Sequence, residues 1–221
     1  MTNPNWPELK GEGHFDLIHA RLIFLAAKTD VWPAVVKGVY NRLKPGGWFE
    51  SQELLFPIQL YKSTVVESKP EREEEEDVSD DPSSKNYSPV HHWSSMLVAA
   101  TSKRGVDVSS PARFPTMLSE TGFTDVHEER LRWPLGPWSS HLPGSEDARR
   151  EKEIGRLARE NFLDGLGMFV EAFGGKALGW TEKVKEDLVM AVNEELGKVG
   201  IDEGARKWLM DVRVVWGRKP V

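Results

Sequence analysis

Residues 15–53 read FDLIHARLIFLAAKTDVWPAVVKGVYNRLKPGGWFESQE, and this run decides the fold. FDLIHAR, Phe15 to Arg21, has the length and apolar content of a buried strand. In the segment from Asp30 to Leu43, Val35, Val36, Val39, Tyr40 and Leu43 recur at helical spacing. Asp30 is the expected N-cap, and Pro33 suits the first turn, where a missing N–H leaves no bond unmade. Lys44-Pro45-Gly46-Gly47 then stops the helix through left-handed glycine geometry. WFESQELL, Trp48 to Leu55, follows as a second strand. Strand, helix and strand in this order form a βαβ unit, whose two strands lie parallel in one sheet.

Composition sets the outer bounds. A chain of 221 residues suits one domain, and nine Trp with nine Phe supply the bulk for a core although only 39% of residues are hydrophobic. With no Cys, disulfides, thiolate metal sites and Cys nucleophiles are all excluded. Met1 to His14 has neither a basic n-region nor an apolar h-region, so no signal peptide is predicted. A cytoplasmic or nuclear protein that is not secreted is expected. No apolar run approaches ~20 residues, so no transmembrane helix is expected, and no membrane partner is expected either. The net charge of −6 is local: nine acidic and two basic residues lie between Glu67 and Asp81, against 27 basic and 26 acidic elsewhere. No Lys/Arg stripe with interleaved aromatics marks a nucleic-acid surface.

Along the rest of the chain, residues 62–87 are charged and poor in apolar side chains, and read as a disordered acidic insertion. A helix follows Ser88-Pro89, with Trp93, Met96, Leu97 and Ala100 on one face. A short helix near Pro111 to Thr121 ends at Gly122, and TDVHEERLRW, Thr124 to Trp133, is a strand. From Ser145 to Gly174 a long helical region carries Ile154, Leu157, Ala158, Phe162, Leu166, Phe169 and Phe173 as one stripe. The next helix, Thr181 to Gly197, places Val184, Leu188, Val192 and Leu196 inward. A period-two run from Trp208 to Trp216 is the last strand.

FDLIHAR, the Trp32-Pro33 helix start and LKPGGWFESQE (Leu43 to Glu53) together resemble the LaeA-like fungal methyltransferases, a class I family. Gly122-Phe123-Thr124-Asp125-Val126, Pro134-Leu135-Gly136-Pro137-Trp138, Gly179-Trp180 and Gly217-Arg218-Lys219-Pro220 extend the resemblance over nearly the whole chain except the acidic insertion. It implies an α/β fold, a partial class I methyltransferase Rossmann-like sheet. FDLIHAR would be its fourth strand, WFESQELL its fifth and TDVHEERLRW its sixth. The terminal strand would be the seventh, inserted antiparallel between five and six. Residues 134–205 would form a helical cap between the last two strands, over the substrate pocket, in a single truncated domain spanning 1–221.

Family members also carry a glycine-rich loop after their first strand and an acidic residue ending their second, which hold the cofactor. No such run precedes Phe15; GEGH, Gly11 to His14, has no strand ahead of it. The expectation is therefore the carboxyl-terminal half of a methyltransferase, whether from a misplaced gene start, a degenerate copy or a separate half-protein. The implied cofactor is S-adenosyl-L-methionine and the implied acceptor a small molecule of fungal secondary metabolism. The alternative is a non-catalytic remnant that pairs with a protein partner, or with itself, through its exposed sheet edge.

Methyl transfer from an activated sulfonium depends mainly on alignment, and a base is needed only when the acceptor must lose a proton. His19, Ala20 and Arg21 stand at the carboxyl end of the first strand, where open α/β sheets bind ligands, and the resemblance assigns them to the methionine part of the cofactor. The plainer expectation is that Arg21 pairs with a carboxylate and His19 is a polar strand end. Glu50, Gln52, Trp93 and Trp138 are the acceptor-side candidates. Glu50 and Glu53, three apart on a strand, face opposite sides and form no paired acid/base device. One faces solvent and the other lines the pocket. His91 and His92 are candidate general bases; neighbours on a helix diverge by ~100°, so they do not chelate a metal together, and no metal site is expected. Trp138 and Trp180 are either pocket walls or core residues.

Overall fold

A computed structural model describes residues 13–61 and 78–221. Their order is β1 (Phe15–Arg21), α1 (Trp32–Arg42), β2 (Leu43–Leu60), α2 (Pro89–Ser102), α3 (Phe114–Thr121), β3 (Thr124–Pro134), α4 (Glu146–Phe169), α5 (Lys176–Leu178), α6 (Glu182–Lys198) and β4 (Trp208–Arg218). The sheet order is β1-β2-β4-β3. β1 and β2 are parallel, as a βαβ unit requires. Lys219 N donates to Gly47 O near one end of β4, and Lys207 O accepts from Tyr61 N near the other, so β4 runs antiparallel to β2. The last strand is inserted before the penultimate one, as the resemblance implies.

Two compact units make up the chain. The first holds Met1–Leu55, Gly105–Leu131 and Val212–Val221. Its core joins Trp32 and Val36 of α1, Phe114 and Leu118 of α3, and Phe49 and Val215 of the sheet. Trp32 and Phe114 meet with ring centroids 5.2 Å apart. Asp30 does not cap α1: it sits in a 3-10 turn, Thr29–Val31, and Val31 occupies the cap position without a side-chain bond. Lys44-Pro45-Gly46-Gly47 belongs to β2 rather than to a separate break. The register slips between Phe15 and Leu17, which pair with Leu43 and Trp48. A bulge absorbs the extra residues, with Gly46 at φ +79°. Gly47 lies so close to the Phe15 carbonyl that an added Cβ would stand 3.1 Å from its oxygen.

The second unit holds Phe56–Arg104 and Arg132–Asp211, and so contains the helical stretch 134–205 together with α2. Val90, Trp93, Met96, Leu97 and Ala100 of α2 are buried, as are Leu166 of α4 and Leu188, Val192 and Leu196 of α6. Side chains cap three helices here: Ser88 accepts from His91 N, Ser145 from Ala148 N and Thr181 from Val184 N. Gly155 lets α4 come within hydrogen-bond reach of the Gly136 N–H at 3.0 Å.

Residues 62–77 of the predicted acidic insertion lie outside the described residues. The end of that stretch is folded where disorder is predicted. Ser79 N donates to Asn86 O at 3.1 Å and Ser88 N to Ser79 O at 2.9 Å, so a turn leads into α2.

The stripe predicted on α4 is displaced. Leu166 is 1% exposed, but Leu157 is 51% and Ile154 36%. On α6, Val184 faces outward and Lys185 is buried in its place. The Lys185 ammonium is bonded to Glu171 and Glu182, which makes its burial tolerable.

Candidate functional site

Parallel pairing sets His19 opposite Glu50, Ala20 opposite Ser51 and Arg21 opposite Gln52. His19 Nδ1 lies 3.0 Å from Glu50 Oε1, and Gln52 Nε2 donates to the same oxygen at 3.2 Å. Three of the predicted residues are thus one polar group, on the exposed side of the strands. Arg21 is exposed, and no ion pair to it is found among the described residues. Ala20 parts from the other two. Its side chain packs against the core that holds Phe49 and Val215, because strand side chains alternate. Only His19 and Arg21 present side chains on one face.

Glu53 is the residue that sequence reasoning undervalued. It does not line a pocket but is 1% exposed. Ile23 N donates to its Oε1 and Phe24 N to its Oε2, both at 3.2 Å, and Ser51 Oγ donates to Oε1 at 3.2 Å. Leu22 N is bonded to Gln52 O at 2.9 Å. The chain leaving β1 is therefore sewn to β2 by three hydrogen bonds, and the Ser51 hydroxyl holds the Glu53 carboxylate from within β2. Burial pushes the Glu53 carboxyl up from its ordinary value, against the pull of its donors. The signal in the sequence is parity: Phe49, Ser51 and Glu53 share the buried face, and a carboxylate there must find donors.

In the second unit, His91 and His92 open α2. Tyr87 Oη lies 3.0 Å from His92 Nδ1, and Trp180 meets the imidazole edge-on at 5.5 Å. Burial pushes the His92 imidazole down and the Tyr87 phenol up. His92 is thereby kept neutral, the form in which an imidazole accepts a proton. Trp93, 2% exposed, is enclosed by Phe56, Phe162 and Phe169. Trp138, 4% exposed, packs on Tyr61 at 4.7 Å beneath Lys207. Core packing thus describes both tryptophans.

A cavity of about 410 Å³ also opens in this unit, with Pro89, Glu194, Glu195, Lys198, Asp202 and Arg206 among its walls. It includes none of the predicted site residues. Its cations are paired, Lys198 with Glu194 at 2.8 Å within the wall and Arg206 with the Tyr87 carbonyl at 3.0 Å outside it.

No family model matches the chain. The chain is 29% identical over 206 residues to the probable methyltransferase tdiE of Emericella nidulans, which covers 93% of this chain and 54% of tdiE. It is 26% identical over 190 residues to the secondary metabolism regulator laeA of Monascus pilosus, covering 86% of this chain and 44% of that protein. The chain is a relative of the LaeA-like fungal methyltransferases. It spans about half the length of the curated relatives it matches. Among solved structures it is similar to phosphoethanolamine N-methyltransferase 2 of Haemonchus contortus, with a TM-score of 0.42, 15% identity and coverage of 94% of this chain and 34% of that one.

Were S-adenosylmethionine held at this sheet edge, its methionine end is the one these side chains would suit. The exposed Arg21 guanidinium would suit a carboxylate, and the His19 ring, held by Glu50, would offer a polar neighbour. For the ribose and adenine end the sequence has no glycine-rich run and the described residues offer no matching group at this edge.

Proposed function

We propose that the chain supplies the methionine-side sheet edge and the helical unit of an S-adenosylmethionine-dependent methyltransferase acting on a small molecule of fungal secondary metabolism. The observation that carries this reading is the match to a probable methyltransferase across 93% of the chain. When bound, the cofactor supplies a methyl group activated on a sulfonium. Arg21 then binds its carboxylate, while Glu50 orients the His19 imidazole beside it. Within the second unit, His92 is the helical histidine better suited to take a proton, since burial pushes its imidazole down and Tyr87 lies at its Nδ1. Titration calorimetry with S-adenosylhomocysteine tests the reading. Saturable binding that weakens about tenfold in Arg21→Ala is expected, the loss of one charge-assisted contact. No binding by the wild-type chain overturns it.

A second reading, a non-catalytic chain that pairs through its sheet edge, is favoured by one observation. β1 is an outer strand of the sheet among the described residues, and its own Leu17 is 59% exposed. Self-association measured by light scattering, and lost in Leu17→Lys, supports this reading. A monodisperse monomer with a cooperative melt refutes the self-pairing form of it.

A further inference from the structure

Leu22, the first residue after β1, has a φ of +52°, a left-handed conformation that a leucine does not adopt without cost. Nothing apolar compensates it locally, for Leu22 is 49% exposed. The compensation comes from the next two residues. Ile23 N and Phe24 N point at separate oxygens of one buried carboxylate, Glu53, whose third bond comes from Ser51. The amides form a small anion-binding concavity filled by the protein's own side chain. An apolar residue of Glu53's size would fill the same space at lower desolvation cost, so packing alone does not account for a carboxylate here.

We propose that Glu53 is a positioning residue whose carboxylate fixes the Leu22–Phe24 turn and so shapes the edge at which Arg21 and His19 meet the cofactor. The cofactor clause rests on the methyltransferase reading; the fixing of the turn does not. Glu53 touches neither Arg21 nor His19 and acts through the backbone that follows them.

Two substitutions separate positioning from packing. Glu53→Met keeps the volume and removes every acceptor. Glu53→Gln keeps the shape and one acceptor oxygen, and turns an amide donor toward one of the two N–H groups. Amide exchange of Ile23 and Phe24, followed by NMR on the full chain, reads the turn directly. Both amides are expected to be protected in the wild type. Exchange should rise about tenfold or more in Glu53→Met and less in Glu53→Gln, in keeping with hydrogen bonds to a charged acceptor. S-adenosylhomocysteine affinity should fall in the same order in the folded variants. Unprotected amides in the wild type, or unchanged exchange in either folded variant, overturns the proposal even if one variant does not fold. If the wild type binds no S-adenosylhomocysteine, the methyltransferase reading fails and the exchange data still decide the role of Glu53. If it binds and both variants bind equally well, the turn is fixed without consequence for the edge, and the proposal fails on that side.

Discussion

Glu53 in the first unit and Glu195 in the second are both withdrawn from solvent, and both accept from a serine hydroxyl and from backbone N–H. Glu195 takes Ser88 Oγ at 2.8 Å, Val90 N at 3.0 Å and Trp208 Nε1 at 3.2 Å, with Arg206 Nη1 3.9 Å away. It ties the start of α2, the body of α6 and the start of β4, and a cation stands near. Glu53 takes only neutral donors, all from its own strand and the turn after β1. One carboxylate joins three elements, whereas the other joins a turn to a strand. The same chemistry therefore serves stability in the second unit and local shape in the first.

The sharpest way to break that contrast is Glu195→Ala. It strands the Trp208 indole N–H and the Ser88 hydroxyl in buried surroundings, and should cost about 3–5 kcal/mol in urea unfolding. A loss under about 1 kcal/mol would show that Glu195 does not hold the unit together. Glu53→Gln should cost less, about 1 kcal/mol at neutral pH, because a donor is misplaced while a buried charge is relieved. Its signature is pH dependence. Burial raises the Glu53 carboxyl above 4.5 in the folded state, so the fold holds that proton more tightly than the unfolded chain does. The stability this contributes is complete below about 4.5 and is lost as pH rises through the higher folded value. The wild type's advantage over Glu53→Gln should therefore shrink as pH rises from 4.5. A difference independent of pH would place Glu53 in an unperturbed setting.

The His92 pair carries the opposite sign. Its imidazole is held below 6.5, so the fold disfavours the proton and stability is lost as pH falls from 6.5 toward the folded value. Resonances of His92 should titrate with a midpoint below 6.5, and Tyr87→Phe should cost about 1 kcal/mol by removing the Nδ1 partner. A midpoint at or above 6.5 would contradict the neutral base assigned to the second unit.

The βαβ unit was legible because its signals agree. Apolar runs and helical spacing indicate the same elements, although the glycine pair lies inside β2 rather than ending α1, and β1 spans the residues that FDLIHAR predicts. The place of the last strand came from resemblance, since no local pattern states which neighbour a strand chooses. Site residues were harder to read. Alternation along a strand was visible, and it places Glu50 outward and Glu53 inward, yet burial of a carboxylate reads from sequence as a pocket wall. The donors that make it structural, Ile23 and Phe24, are backbone groups and carry no mark in the sequence. Lys185 misled for a related reason: its burial depends on Glu171, fourteen residues earlier across a π-helical turn.

The smallest expected effect tests the displaced stripe of α4. A single helical stripe predicts that Leu157 and Leu166 are equivalent core positions, but Leu157 is 51% exposed and Leu166 1%. The reason lies in length: over 24 residues a helix is covered by different neighbours at its two ends, and periodicity alone does not say where cover stops. Leu166→Ala should cost about 2–5 kcal/mol, whereas Leu157→Lys should stay within about 0.5 kcal/mol by chemical unfolding. Lysine also keeps an aliphatic stem along the helix surface while its charge reaches water. A Leu157→Lys loss approaching that of Leu166→Ala would mean that another surface covers this end of α4 in solution. Concentration dependence of the melt would then show whether that surface is a second copy of the chain.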